Sequence, residues 1–299
     1  MADSMTIRPR RSALYMPGSN ARALEKAKSL PADALILDLE DAVAPEAKEA
    51  ARAQVCAAVK AGGYGGREVV IRINGLETPW GAADLEAAFG AAPDAVLVPK
   101  VGSGADIARV TERLGKAGAP ERLRLWAMIE TPLAILNIGA IAAAAREPGA
   151  RLSCFVMGTN DLVKETRADL SKNRRPALYW LSAAVTAARA YGLDALDGVY
   201  NNFKDAEGFQ RECLHGRALG FDGKTLIHPD QIVVANEVFA PPEAEVALAR
   251  GIIAAFDRPE NKGRGAITVD GRMVELMHAE AARRTVAIAA AIAGKDKVS

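Results

Sequence analysis

Short apolar runs recur along the chain, and each is followed by a longer segment in which apolar residues return with helical spacing. Eight such runs are read as strands, at 12–16, 34–39, 68–73, 95–99, 124–129, 152–157, 195–199 and 224–227. The segments between them read as helices at 21–29, 46–60, 80–89, 105–116, 132–145, 177–191, 205–219 and 229–238. Local signals agree with these boundaries. Ser19 or Asn20 can cap the first helix, Pro45 suits a first helical turn, and Gly62-Gly63 ends the second helix.

Strands that alternate with helices of ten or more residues need crossover connections, and so a parallel sheet. The strands are nearly continuous in apolar residues, as expected when both faces are covered. Eight units in roughly 240 residues predict an α/β chain closed into a (β/α)8 TIM barrel. An open nucleotide-binding sheet fits less well. Met16-Pro17-Gly18-Ser19 after the first strand is a tight turn and lacks the Gly-x-Gly-x-x-Gly spacing.

Ala240-Pro241-Pro242 breaks the pattern. Residues 1–239 are therefore assigned to the catalytic barrel and 240–299 to a C-terminal helical extension. Helices are predicted at 243–256 and 273–293, with a polar stretch at 257–265 and a short strand at 266–269. This tail is short for a core of its own, and is expected to pack on the barrel or on a neighbouring subunit.

A buried strand has no structural need for a charged last residue, yet several end in one. The second run closes on Asp38-Leu39-Glu40-Asp41 and the third on Arg72-Ile73-Asn74. The fourth closes on Pro99-Lys100, the fifth on Glu130, and the sixth on Gly158-Thr159-Asn160-Asp161. Strand ends of this kind converge on one site at the carboxyl face of a barrel.

Glu130 and Asp161, on adjacent strand ends, offer two carboxylates to one ion. Few fixed oxygen ligands suit magnesium. Each residue alone reads equally well as a helix-capping group. Asp38, Glu40 and Asp41 cannot stand together without cations or proton uptake. They either pair with Arg72 and Lys100 or bond metal-bound water, and Glu40 and Asp41 are candidate catalytic groups. Arg72 suits bidentate capture of a carboxylate or enolate oxygen, or a structural ion pair with Glu40. Lys100 is read as a salt-bridge partner in the acid cluster in preference to a Schiff-base lysine. Arg22, Lys26, Lys28, Lys48 and Arg52 lie near the first two strand ends, and read either as a solvated face or as a rim for phosphates.

Composition narrows the choice. Half of the 299 residues are hydrophobic and a quarter are charged, which suits a large core and not a disordered chain. A formal net charge of +1 gives no general attraction to nucleic acid. Three histidines without paired spacing argue against zinc, and three cysteines suit reduced thiols better than a disulfide framework. No apolar run reaches the length of a membrane span, and the first residues do not resemble a signal peptide. A cytoplasmic location is expected.

Seven ordered motifs carry a resemblance over almost the whole chain. They are Tyr15-Met16-Pro17-Gly18, Leu37-Asp38-Leu39-Glu40-Asp41-Ala42-Val43, Arg72-Ile73-Asn74, Pro99-Lys100, Ile129-Glu130-Thr131, Gly158-Thr159-Asn160-Asp161 and the segment from Gly220 to Pro229. The chain resembles the citrate lyase β-subunit-like branch of the HpcH/HpaI aldolases, which includes malyl-CoA and citramalyl-CoA lyases and malyl-CoA thioesterase. The resemblance implies magnesium held by Glu130 and Asp161, and a substrate anion held by Arg72. It implies coenzyme A contacts at Tyr15, Arg22, Lys26 and Lys48, and an acyl or pantetheine channel lined by Ile227 and His228. It also implies a homo-oligomer, a trimer or a dimer of trimers.

The activity implied first is a magnesium-dependent retro-Claisen cleavage of an acyl-CoA such as (S)-malyl-CoA to acetyl-CoA and the 2-oxo acid glyoxylate. The alternatives are a (3S)-malyl-CoA thioesterase, a citramalyl-CoA lyase, a citrate lyase β-subunit, or a non-catalytic thioester-binding subunit. One departure stands out. Relatives carry a Gly-x-Met/Leu-Val/Ile-Asp motif whose aspartate enters the neighbouring subunit's site as an acid/base. Here the stretch reads Gly271-Arg272-Met273-Val274-Glu275. Glu275 has the same chemistry with one more methylene, and hydrolysis of the thioester is one outcome the longer arm would favour.

Overall fold

A computed structural model describes residues 7–269 and 271–296. Strands β1 (Ser12–Pro17), β2 (Ala34–Asp38), β3 (Glu68–Arg72), β4 (Ala95–Val98), β5 (Arg124–Ile129), β6 (Leu152–Met157), β7 (Asp194–Asp197) and β8 (Gly223–Leu226) form a closed barrel. Each strand pairs in parallel with the next, and β8 returns to β1 through Ala13↔Thr225. The expected (β/α)8 architecture is present, with strand ends within one or two residues of those read from the sequence. The barrel, Arg10–Phe239, is one compact unit, and the described residues from Ala240 onward belong to another.

The alternation of side chains along each strand divides the core in two. Ala13, Ala34, Ile36, Val70, Ala95, Leu97, Trp126, Met128, Cys154, Val156 and Leu196 fill the lumen. The intervening residues, such as Leu35, Leu37, Ile71, Val96, Leu125 and Phe155, pack outward against the helices. Arg10 lies with its guanidinium 5.1 Å from the Trp126 ring and pairs with Glu68 and Asp194, which begin β3 and β7. It lies at the amino-terminal end of the barrel, opposite the charged strand ends. The three cysteines are free and buried, as expected.

The connecting helices are α1 (Ala21–Ala27), α2 (Lys48–Ala61), α3 (Gly81–Ala91), α4 (Gly104–Lys116), α5 (Pro132–Leu136), α6 (Ile138–Ala143), α7 (Thr159–Thr166), α8 (Leu178–Tyr191), α9 (Ala206–Leu219) and α10 (Ile232–Phe239). Asn20 caps α1 by accepting from the Ala23 N–H at 3.0 Å. The helix expected at 132–145 is broken at Asn137, whose side chain donates to Gly102 O at 2.8 Å. Helix α7 was not anticipated: its first turn, Thr159-Asn160-Asp161, is poor in helix formers. β6 delivers it directly from Met157 through Gly158.

The second unit contains α11 (Glu243–Phe256), a hairpin of β9 (Ala266–Val269) and β10 (Arg272–Glu275), and α12 (Leu276–Asp296). Ala255, Phe256, Ile267, Val274 and Ala279 make a small apolar cluster there. The last helix begins at Leu276, not at 273, because Met273, Val274 and Glu275 pair with Thr268, Ile267 and Ala266. Among the described residues, no helix is long and apolar enough to cross a membrane.

Candidate active site

The carboxyl ends of β1, β2, β3 and β5 bring one dense group of charges together. Asp38 ends β2 and Arg72 ends β3, and their Cα atoms face each other in the ladder. Asp38 Oδ1 accepts from Arg72 Nε at 2.7 Å and Oδ2 from Nη2 at 2.6 Å, a bidentate pair. The same carboxylate accepts from the Glu40 and Ala42 backbone N–H groups at 2.8 and 3.0 Å. One side chain thus shapes the turn after β2 and fixes the arginine beside it.

The remaining nitrogen, Arg72 Nη1, faces Glu40 Oε2 at 2.8 Å and Asp41 Oδ2 at 3.1 Å. Glu40 approaches off the N–H direction, so its Oε2 is buried without a directed hydrogen bond. The guanidinium also lies 4.8 Å from the Tyr15 ring centroid. Met128 Sδ is 3.9 Å from both Arg72 Nη1 and the Tyr15 hydroxyl. Tyr15, Arg72 and Met128 come from alternate strands and form one layer across the lumen.

Electrostatics follow from burial. Desolvation opposes the charge on Arg72, but Asp38, which faces the guanidinium and accepts two hydrogen bonds from it, keeps it charged. Burial pushes the Glu40 carboxyl up to about 8, against Arg72 and with help from Glu130, Asp41 and Asp38. Glu40 therefore holds a proton near neutral pH. Burial likewise raises the Tyr15 hydroxyl, so it stays a neutral donor.

Glu130 follows β5 and is 1% exposed. Its Oε1 accepts the Lys100 backbone N–H at 2.7 Å, while Oε2 is buried with no hydrogen-bond partner. Burial raises its pKa, and Lys100 opposes the rise. Asp161 lies in the first turn of α7, and its Oδ1 is 2.9 Å from Lys100 Nζ. The same ammonium is 3.6 Å from Glu130 Oε1. Lys100 therefore bridges Glu130 and Asp161; the acid cluster of residues 38–41 where it was expected is paired by Arg72 instead. Lys100 reaches this place from a left-handed backbone conformation, φ 53°.

Gly158 makes room for Glu130. A Cβ on Gly158 would stand 2.3 Å from Glu130 Cβ and 2.9 Å from its Oε2. The pair has the chemistry of a hard-cation site: oxygen donors only, one orphaned buried carboxylate oxygen, and a cation already shared between them. Among the described residues, no group of three or more His, Cys, Asp or Glu is placed to hold a metal. Any ion here would keep open positions for water or substrate oxygens.

The basic residues near β1 and β2 do not act as one set. Arg22 and Lys26 are exposed on α1. Lys28 pairs with Glu25 at 2.7 Å, and Arg52 with Asp84 at 2.6 Å. Lys48 is buried, 6% exposed, with its ammonium bonded to Leu39 O, Glu40 O and Asn74 Oδ1. Ile227 and His228 follow β8, the strand that pairs with β1 on the side away from β2, and are partly exposed. The His228 ring stacks on Phe203 at 4.6 Å and 11°.

Sequence reasoning did not find Met128, although it lies two residues before Glu130 and so shares its face of the strand. Phe203 gave no signal, because the loop after β7 has no periodicity. Glu275 ends β10, with its backbone N–H donating to His278 Nδ1 at 2.9 Å. Met273, Leu276 and Met277 around it are strongly exposed.

The model of the HpcH/HpaI aldolase/citrate lyase family matches residues 11–229. A (3S)-malyl-CoA thioesterase of Cereibacter sphaeroides is 50% identical over 285 residues, covering 95% of this chain and 96% of its own. Citrate lyase subunit beta of Escherichia coli is 36% identical over 273 residues, covering 90% of this chain and 89% of its own. The structure of CitE from Mycobacterium tuberculosis in complex with magnesium, acetoacetate and coenzyme A superposes with a TM-score of 0.73 at 30% identity. It covers 95% of this chain and 100% of that one.

Proposed function

The chain belongs to the HpcH/HpaI aldolase/citrate lyase family, and from that premise we propose that it hydrolyses a short 3-hydroxy dicarboxylic thioester of coenzyme A, as a (3S)-malyl-CoA thioesterase releasing malate and coenzyme A. The observation that carries this reading is the Arg72 guanidinium, buried and charged in the lumen, with an acid group on either side of it. Near-full-length similarity to the thioesterases moves hydrolysis ahead of carbon–carbon cleavage, which the motifs alone put first.

In this reading Glu130 and Asp161 hold magnesium, which supplies Lewis-acid polarisation of a substrate oxygen when bound. Arg72 binds the substrate carboxylate and the oxygen on which charge develops, from a side chain that is 5% exposed. Asp41, exposed at the mouth, accepts a proton from the attacking water. Glu40, protonated near neutral pH, returns one to the departing thiolate. Water adds to the thioester carbonyl carbon, the carbon–sulfur bond breaks, and the thiol leaves protonated. Tyr15, Arg22 and Lys26 contact the coenzyme, and Ile227 and His228 line its acyl or pantetheine channel.

The second reading, retro-Claisen cleavage to acetyl-CoA and glyoxylate, is favoured by the proton on Glu40. An acid group beside Arg72 is what an acetyl-CoA enolate would need. Glu275, from a neighbouring copy in a trimer or hexamer, is a candidate acid/base for either reaction. Its support is a partly exposed carboxylate set among the exposed apolar side chains Met273, Leu276 and Met277. The barrel, Arg10–Phe239, is the catalytic unit, and the extension from Ala240 onward supplies this contact. A cytoplasmic location accompanies the coenzyme A substrate.

Malyl-CoA and magnesium with the purified protein decide between the readings. Malate and free coenzyme A are expected; acetyl-CoA and glyoxylate would give precedence to the lyase. Turnover of citramalyl-CoA alone would move the substrate to that ester. Activity only with a bound acyl carrier protein partner would point to a citrate lyase subunit, and no consumption of any ester to a binding role.

A further inference from the structure

We propose that Lys48 is a positioning residue that holds the acid turn after β2 in its working shape, and not a contact for the coenzyme. The inference rests on the acyl-CoA reading above. An ammonium has three N–H donors, and all three of Lys48 are taken. Nζ donates to Leu39 O at 2.9 Å, to Glu40 O at 2.7 Å and to Asn74 Oδ1 at 2.7 Å. A coenzyme phosphate could reach it only by displacing one of these bonds and opening a side chain that is 6% exposed.

The acceptors show what the ammonium does. Leu39 and Glu40 are consecutive, so their carbonyls converge on one point only in a sharp turn. That turn sets where the Glu40 side chain starts, and hence its 2.8 Å approach to Arg72 Nη1. The third acceptor is itself fixed. Asn74 Nδ2 donates to Leu39 O at 2.8 Å and to Asp84 Oδ2 at 2.6 Å, and Arg52 Nε holds Asp84 Oδ1 at 2.6 Å. The Lys48 ammonium also lies 5.5 Å from the Trp80 ring centroid.

The location on the helix supports the same assignment. Lys48 is the first residue of α2, where a positive charge opposes the helix dipole. Helix side chains lean toward the amino terminus, so the lysine stem runs back under the preceding loop. The unfavourable end charge is offset by the two carbonyls and by Asp38 and Asp84 nearby, which oppose the loss of charge that burial favours.

Two thioesters separate positioning from coenzyme contact: malyl-CoA, and malyl-pantetheine, which lacks the nucleotide and every phosphate. Lys48→Met is expected to lower kcat ~10–100-fold, by the same factor for both esters, with KM for malyl-CoA within about twofold of the parent. A loss confined to malyl-CoA and expressed as a raised KM would overturn the proposal. So would an unchanged kcat accompanied only by a lower Tm. Lys48→Gln keeps two donors on a shorter arm, and carries the same comparison if the methionine variant does not fold. Amide hydrogen exchange over residues 39–43 is expected to quicken in either variant. If the parent protein turns over neither ester, the functional reading fails on its own, and unchanged exchange in that segment then refutes the role of Lys48 separately.

Discussion

The Lys100 ammonium lies 2.9 Å from Asp161 Oδ1 and 3.6 Å from Glu130 Oε1, between the two carboxylates proposed to hold magnesium. An external divalent ion must compete with this internal one. Lys100→Met is therefore expected to bind magnesium ~3–10-fold more tightly by calorimetry, since Coulomb competition at one site is removed. Its metal-free form should melt at a lower temperature, because the buried Glu130 carboxylate loses its counter-charge. An affinity equal to that of the parent would mean that the lysine does not occupy the ion's place.

Gly158 permits the Glu130 carboxylate to sit where it does. A methyl at residue 158 would meet Glu130 Cβ at 2.3 Å, a distance that forces one of the two away. Gly158→Ala should destabilise the protein by about 1–3 kcal/mol and weaken magnesium binding. Chemical denaturation and calorimetry on the same preparation test both parts. A variant that loses stability while binding the ion normally would place the strain elsewhere.

Asp197 is fully buried, with Lys224 Nζ at 3.0 Å and Arg174 Nη2 at 2.6 Å. Burial raises its pKa, but Lys224 and Arg174 outweigh burial and hold the carboxyl below its ordinary value. The unfolded chain takes up this proton first, near pH ~3.9. The stabilisation is thus complete above that value and is lost as pH falls through the lower folded-state pKa. Asp197→Asn, which leaves Lys224 and Arg174 to share the single carboxylate of Glu212, should cost about 3 kcal/mol at neutral pH. Its stability should then fall less steeply than the parent's on acidification below ~4. Parallel denaturation curves for the two proteins across that range would contradict the assignment.

Whether Glu275 acts within its own chain or in a neighbour can be read by mixing. Arg72→Ala and Glu275→Ala proteins, each inactive alone, are dissociated and reassembled together. If each site draws these residues from two copies, about a quarter of the sites become complete in an equal mixture. No recovery, or full activity of the Glu275→Ala protein alone, excludes the residue from a neighbour's site.

The strands were legible because a barrel strand buried on both faces must be apolar from end to end. A charged residue that interrupts such a run then marks the mouth, as Arg72 and Glu130 do. The turn geometry was less legible. Lys48 sits among exposed basic residues in the sequence, and nothing in its neighbours tells a buried four-carbon stem from a solvated one. Strand order puts the Lys100 end of β4 beside the Glu130 end of β5, but the left-handed backbone from which Lys100 reaches Glu130 and Asp161, φ 53°, leaves no mark in the sequence. The strand at 272–275 was read as helix because Met, Val and Glu suit either state until a pairing partner is known.

Asp38 serves two masters: its two oxygens accept from the turn that follows it and from the guanidinium on the next strand. A pocket with the turn formed but the arginine unplaced, or the reverse, would leave part of the buried Asp38 carboxylate without its partners, at a cost of about 1–3 kcal/mol. One carboxylate thus ties the shape of the loop to the place of the charge beside it.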